Sequence, residues 1–322
     1  MKKIAVFTSG GDSPGMNACL RAVVRTAIYH QIEVVGIKHG YDGMINDEFV
    51  EMDAKSVANI IHRGGTILKT ARSKEFMSLE GRQKALANLM KHQVEGIVAI
   101  GGDGTFCGAL ELSKICNIPI VGCPGTIDND LIGTDFTIGY DTAINTVVDA
   151  VDKIRDTAES HDRLFFVEVM GRDAGLIALR GGIGVGAESI IIPETKTNIE
   201  DLIKRLESGR KSKSSKIIIV AEGDEAGGAF KIAEQVKMRL PEYDTRVTIL
   251  GHIQRGGSPS AMDRVNSSRM GFAAVEALMQ GQRNVMIGIV DRNINYTAFE
   301  NATKHIQELN PDLMRMVGIL SL

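Results

Sequence analysis

The chain has 322 residues, 43% of them hydrophobic, and a formal net charge of −3, so it can bury a sizeable core and its length suits two α/β lobes. It has no overall basic field to hold nucleic acid and no run of about 18 apolar residues to cross a membrane as a helix. The four cysteines, Cys19, Cys107, Cys116 and Cys123, form no CxxC pair, which predicts reduced core thiols in a reducing compartment.

In chain order, the first strand-like run covers 4–8 and leads into TSGGDSPGMN (8–17), a glycine-rich turn ahead of a helix. Such a turn is either an ordinary βα connection or a phosphate cradle, since unpaired N–H groups at a helix N-terminus favour anions. It is not a Walker loop, because no GxxxxGK[ST] occurs. The opening MKKIAVFTSGG holds an apolar run shorter than a secretory h-region, and an unexported, cytoplasmic protein is expected.

Further strand-like runs fall at 33–38, 96–100, 118–122, 164–170, 189–192, 216–221, 246–250 and 285–290. Helical stretches fit between them, as at 141–160, where Ile144, Val147, Val148, Val151 and Ile154 share one face. This alternation predicts an α/β fold of βαβ units with mostly parallel sheets flanked by helices. A boundary near residue 140 is expected, and the polar stretch SGRKSKSSK (208–216) reads as a solvated loop. With 35 glycines in the chain, against an average of about 7%, many tight strand-to-helix turns are expected.

Two glycine-loosened turns carry most of the chemistry: IVAIGGDGTF (97–106) and IPIVGCPGTIDNDL (118–131). Each follows an apolar run, so each opens at the carboxyl edge of a parallel sheet. Gly101, Gly102 and Gly104 let backbone N–H groups approach a polyphosphate, where the plainer reading is a tight turn with an Asp cap. Asp103, Asp128 and Asp130 supply hard oxygens for Mg²⁺ and a base for a hydroxyl. Asp128 and Asp130, at i and i+2, point the same way if the segment is extended; an Asx-turn before the next helix is the plainer alternative.

Together TSGGDSPGMN, GGDGTF, PGTIDNDL, DKIRDTAESH (152–161), VMGRDAG (169–175), VAEG (220–223) and LGHIQRGGSP (250–259) resemble the bacterial ATP-dependent 6-phosphofructokinase family, in order, to beyond residue 270. The resemblance implies two similar lobes, each a three-layer αβα sandwich. Residues 1–138 with about 251–300 would bind ATP, and 139–250 with about 301–322 would bind the sugar phosphate. It further implies transfer of the γ-phosphoryl group of ATP to the 1-hydroxyl of fructose 6-phosphate, the committed step of glycolysis, where positioning and charge neutralisation do most of the catalysis.

By that resemblance Asp128 is the general base, Asp103 and Asp130 hold Mg²⁺, Thr126 contacts the transferring group and Arg172 stabilises its charge. Gly11, Arg72, Ser73, Gly102, Asp103, Gly104 and Thr105 line the nucleotide, with Tyr41 packing on the adenine. Ile127, Met170 and Gly171 shape the sugar pocket, Glu222 accepts from sugar hydroxyls, and Arg163, Arg246, His252, Ile253, Gln254 and Arg255 complete the sugar-phosphate set, for which planar guanidinium forks are well suited. The family gives Arg163 and Arg246 to a neighbouring subunit's site, which implies a homotetramer. Pyrophosphate-using relatives carry Asp and Lys where this chain has Gly104 and Gly125, so ATP is the expected donor.

An effector site for ADP or phosphoenolpyruvate is implied at Arg21, Arg25, Arg155, Gly186, Ala187, Glu188, Lys211 and Lys213, with Arg21 and Arg25 on one helical face. Ala54 and Asn59 replace an Arg and an Asp usual there, and Lys211 replaces an Arg. Met77 stands where relatives often place an Arg near adenine. Rival readings are a GGDGT-type kinase of another alcohol such as NAD, a catalytically silent nucleotide-sensing subunit, and a dinucleotide dehydrogenase, although GGIGVGAES (181–189) does not spell GxGxxG.

Overall fold

The computed structural model describes residues 1–161, 163–208, 216–302 and 310–320. The elements run β1 (Lys3–Thr8), α1 (Met16–Tyr29), β2 (Glu33–Ile37), α2 (Gly40–Ile45), β3 (Phe49–Met52), α3 (Leu79–Lys91), β4 (Gly96–Gly101), α4 (Asp103–Ser113), β5 (Ile120–Pro124), α5 (Tyr140–Glu159) and β6 (Arg163–Val169). The chain continues through α6 (Leu176–Gly184), β7 (Ser189–Ile191), α7 (Ile199–Ser208), β8 (Lys216–Ala221), α8 (Gly228–Arg239), β9 (Asp244–Ile249), α9 (Ala261–Met279), β10 (Val285–Val290), β11 (Asn293–Ala298) and α10 (Pro311–Leu320).

The described residues divide into two compact units. The first takes Met1–Ile127, Leu131–Thr142 and 255–302; the second takes Asp128–Asp130, Ala143–Gln254 and 310–320. The first unit holds a seven-stranded sheet, β11-β10-β5-β4-β1-β2-β3, and the second a four-stranded one, β7-β8-β6-β9. All pairings are parallel except β2 with β3 and β10 with β11.

Strands buried on both faces explain why the sequence shows continuous apolar runs. In β1, Ile4 and Val6 join a core formed with α1 and α9, while Ala5 and Phe7 join a second core with α2, α3 and α4. β4 divides the same way, with Val98 and Ile100 on one side and Ile97 and Ala99 on the other. In the second unit Leu164, Phe166, Ile218 and Val220 pack with α7 and α8. These two-sided sheets bear out the expected architecture, with unequal strand numbers in the two units.

Two strands went unpredicted, both antiparallel and both at sheet edges. β3 is four residues long, and β11 reads NINYTA, half-buried and polar. The β10–β11 hairpin turns through Asp291 and Arg292, both with positive φ, a two-residue turn that sequence normally announces with Asn-Gly or Asp-Gly. One cysteine expectation also changes. All four are free thiols, but Cys107 is exposed, on α4.

Candidate active site

The strand order creates a crevice at the carboxyl ends of β1 and β4. β1 passes through α1 to β2 on one side, and β4 passes through α4 to β5 on the other; α1 and α4 cover opposite faces. Such a reversal point is where open α/β sheets bind ligands. The ladder continues past the strands, with Ser9 N donating to Ile100 O at 3.0 Å and Gly125 N to Gly101 O at 2.9 Å. The residues after β1, β4 and β5 therefore emerge side by side.

GGDGT forms the end of β4 and the first turn of α4. Gly102 is the extended N-cap residue and Asp103 the first helical residue, so the segment is a helix N-terminus and not a free loop with an Asp cap. Two glycines of this segment differ in kind. A Cβ on Gly101 would stand 2.3 Å from Thr105 Oγ1 and 2.5 Å from Ser9 O, whereas a Cβ on Gly104 would meet nothing within 4 Å. Gly104 also lacks a positive φ, so nothing in the chain itself demands glycine there. Thr105 Oγ1 is buried without a hydrogen-bond partner.

Arg255 lies against the first glycine turn. A Cβ at Gly11 would fall 2.6 Å from its Nη1, which also donates to Asp12 O at 3.3 Å. The structure thus groups Arg255 with Gly11, beside a residue expected to line the nucleotide. Arg72 is exposed, and Ser73 Oγ accepts from Phe76 N at 3.3 Å.

Tyr41 is tied into the packing beneath α4. It is 6% exposed, stacked on Phe76 at 4.0 Å, with its hydroxyl donating to Thr105 O at 2.6 Å, and burial pushes its phenol well above the usual range. Its hydroxyl props the α4 N-terminus from the core side. Met77 is 79% exposed.

PGTIDND straddles the division between the units, with Thr126 and Ile127 in the first and Asp128–Asp130 in the second. Thr137 Oγ1 donates to Thr126 O at 2.6 Å, and Gly125 bridges to Ile138. Asp128, Asn129 and Asp130 are all buried, and Asn129 has a left-handed φ of 54°. That residue breaks the extended run, so the alternation argument for Asp128 and Asp130 does not apply here.

In the second unit Asp128, 1% exposed, accepts an ion pair from Arg172 Nε at 3.3 Å. Arg172 itself has φ 53°, an unusual backbone for a non-glycine residue. Glu222 holds it there: Oε1 accepts from Arg172 N at 2.9 Å and Gly171 N at 3.3 Å. Glu222 therefore spends one carboxylate oxygen on backbone. Gly171, at φ 144°, leaves no room for a Cβ, which would approach Ala174 O to 2.3 Å.

His252, Ile253 and Gln254 ride on one 3₁₀ turn, Gly251–Arg255. His252 and Ile253 are exposed. Gln254 is fully buried, accepting from Met170 N at 3.2 Å and donating to Gly251 O at 3.0 Å. Its amide thus joins two loops, the one carrying Met170 and its own. Arg163 and Arg246 both pair with Asp244, a residue that no motif had marked.

A further unmarked residue is Asp263 on α9. Its carboxylate accepts from Gly139 N at 2.9 Å, Thr142 N at 2.8 Å and Thr142 Oγ1 at 2.5 Å, while burial pushes its pKa up. It fixes the start of α5 just after PGTIDND. The local sequence SPSAMD (258–263) gave no hint of this tertiary role.

Among the effector candidates, Arg21 and Arg25 lie together on α1, and burial with the neighbouring Arg25 charge lowers the Arg21 pKa. In the second unit Arg155 Nη2 donates to Val185 O at the end of α6, and Glu188 Oε2 accepts from Ile217 N at 2.5 Å. Gly186 has φ 61° and Ala187 is buried. Lys211, Lys213 and nearly all of SGRKSKSSK lie outside the described residues.

Among the described residues no group of three or more His, Cys, Asp or Glu could cage a metal. No helix of the described residues is long and apolar enough to cross a membrane.

The family profile described as Phosphofructokinase matches residues 3–278. An ATP-dependent 6-phosphofructokinase of Cytophaga hutchinsonii is 57% identical over 322 residues, covering 100% of this chain and 98% of that one. ATP-dependent 6-phosphofructokinase 1 of Thermus thermophilus is 54% identical over 323 residues, covering 100% of both. Among solved structures, phosphofructokinase from Saccharomyces cerevisiae superposes with TM-score 0.86 at 37% identity, and this chain covers 46% of that longer chain while 99% of this chain is matched. A pyrophosphate-dependent phosphofructokinase from Marinobacter aquaeolei shares the fold, with TM-score 0.88, 23% identity and 99% and 91% of the two chains covered.

Proposed function

We infer that this chain, which belongs to the phosphofructokinase family, transfers the γ-phosphoryl group of ATP to the 1-hydroxyl of fructose 6-phosphate, giving fructose 1,6-bisphosphate and ADP. It is then a glycolytic phosphotransferase with an alcohol acceptor. The observation that carries the chemistry is the buried Asp128 carboxylate facing the Arg172 guanidinium at 3.3 Å.

Asp128 accepts the hydroxyl proton as the sugar oxygen attacks, and Arg172 answers the charge on the transferring group. The Arg172 backbone is held in its strained conformation by Glu222 and its guanidinium by Asp128, before substrate arrives. Backbone N–H groups at the α4 N-terminus, with Gly11 and Arg72, receive the nucleotide phosphates. Thr126, its carbonyl fixed by Thr137, contacts the moving phosphoryl group. Asp103 and Asp130 are the carboxylates for Mg²⁺, which supplies charge neutralisation on the phosphates when bound.

Arg163, Arg246, His252 and Arg255 receive the sugar phosphate, and Met170 and Gly171 shape the sugar pocket. Open space around Gly104 supports ATP over pyrophosphate, since a side chain is excluded there by no part of the chain and only a larger ligand gives its absence a reason. The first unit takes the nucleotide role and the second the sugar role, apart from Arg255, which belongs to the first unit. A cytoplasmic homotetramer completes the reading, with ADP or phosphoenolpyruvate acting at the Arg21, Arg25, Arg155 and Glu188 set.

A coupled assay of purified protein tests this, crossing ATP and pyrophosphate with fructose 6-phosphate, other sugar phosphates and NAD, with and without ADP. Turnover with ATP and fructose 6-phosphate is expected. Turnover confined to another acceptor or to pyrophosphate would overturn the reading.

A further inference from the structure

The second unit ends its sheet on β9, which pairs with β6 on one side and is an edge strand on the other. Val247 packs into the core with Leu164 and Phe166, so the alternate residues Asp244 and Arg246 stand on the opposite face. Arg163 is the direct register partner of Asp244, and Phe165 that of Arg246. One carboxylate thus sits between two guanidiniums. Arg163 Nε donates to Asp244 Oδ2 at 2.8 Å, and Arg246 Nη2 lies 3.0 Å from each carboxylate oxygen.

We propose that Asp244 is a positioning residue that gathers Arg163 and Arg246 into one anion-binding pair where β6 and β9 begin, on the face opposite Val247. The proposal rests on the reading above that these two arginines meet the sugar phosphate. Without the carboxylate, two like charges on adjacent strands repel and each long side chain samples many rotamers. With it, each guanidinium is tethered by one edge only. Arg163 spends its Nε–H and keeps its whole Nη1–Nη2 fork, the pair of donors that matches two phosphate oxygens. Arg246 spends Nη2 and keeps Nη1 and Nε. The cluster keeps a net positive charge, two guanidiniums against one carboxylate, so it still attracts a phosphate.

An ordinary edge-strand charge that discourages strand pairing is the plain alternative. It predicts no link to substrate. The three side chains are 23%, 43% and 52% exposed, and exposed ion pairs contribute little to stability, so the role can be separated from folding. Arg163 first, then Arg246, holds the Asp244 carboxyl below its ordinary range, which keeps it charged throughout the neutral range.

Full-length Asp244→Asn, Asp244→Ala and Asp244→Glu proteins are compared with wild type for steady-state kinetics in ATP and fructose 6-phosphate, alongside thermal melts. The half-saturating fructose 6-phosphate concentration is expected to rise about tenfold in the Asn and Ala variants, a loss of about 1.4 kcal/mol in substrate binding. The ATP KM should stay put, kcat should move less than about twofold, and Glu should restore part of the affinity. Unmoved or improved half-saturation in a folded Asn variant overturns the proposal, improvement meaning that the carboxylate competes with phosphate. Wild type inactive on fructose 6-phosphate would bring down the functional reading itself, and this role with it.

Discussion

The first unit presents its candidate residues as backbone and small side chains: a glycine turn after β1, Gly102 and Gly104 at the start of α4, and a threonine whose hydroxyl is buried without a partner. The second presents charges already held by other charges, with Asp128 against Arg172 and Arg163 and Arg246 on Asp244. A cradle of N–H groups is rigid because the helix fixes it. A set of long side chains becomes rigid only when something else clamps it. Asp244, which clamps two guanidiniums, and Glu222, which fixes the Arg172 backbone, are therefore as much part of the second unit's design as the arginines they hold.

The largest test of this contrast removes a charge from the second unit. Asp128→Asn should lower kcat by about 10²-fold to 10⁴-fold, because the amide cannot accept the proton, while the fold and the KM values stay near wild type; steady-state kinetics that show wild-type turnover would end its candidacy. In the first unit, Gly104→Asp should cost about 10²-fold in kcat/KM for ATP by placing a carboxylate where phosphate is expected. The same change should leave the melting temperature unchanged or slightly raised, since a Cβ there meets nothing within 4 Å and an acid in a helix's first turn is favourable. Loss of both fold and activity would mean that the glycine is structural after all.

Smaller effects probe the supports. Thr137→Val removes the buried hydrogen bond to Thr126 O and should cost about 1–3 kcal/mol of stability, measured by denaturant melts, with kcat falling only a few-fold. The smallest effect concerns pH. Because the Asp244 carboxyl is lowered from 3.8 in the folded chain, its ion pairs stabilise the fold above about pH 3.8, and this contribution is lost as pH falls through the lower folded value. NMR titration should find Asp244 ionising below 3.8, and ionisation at or above that value would show that the arginines do not clamp it.

Much of the fold was legible because parallel strands buried on both faces are written as continuous apolar runs. Nine such runs marked nine observed strands to within two residues at either end, and helix 141–160 is observed as Tyr140–Glu159. The edges were not legible. β3 and β11 are short or polar, and the Asp291–Arg292 turn puts an arginine, which does not advertise positive φ, where glycine is usual. At the site, motifs named Asp128 and Arg172, and the structure pairs them. No motif showed that Tyr41 and Gln254 are buried, since packing decides that.

The sequence by itself determined the glycine turns, the carboxylates beside them, the parallel α/β order and the family, since each is a matter of local spacing or of motifs in series. Only the tertiary structure decided which residues hold the site in place. Asp244 reaches Arg163 across a sheet from 81 positions away, Glu222 reaches Arg172 from 50, and Asp263 reaches Gly139 from 124. A hydrogen bond depends on distance in space, and a chain's local pattern carries no record of which distant carboxylate will arrive beside it.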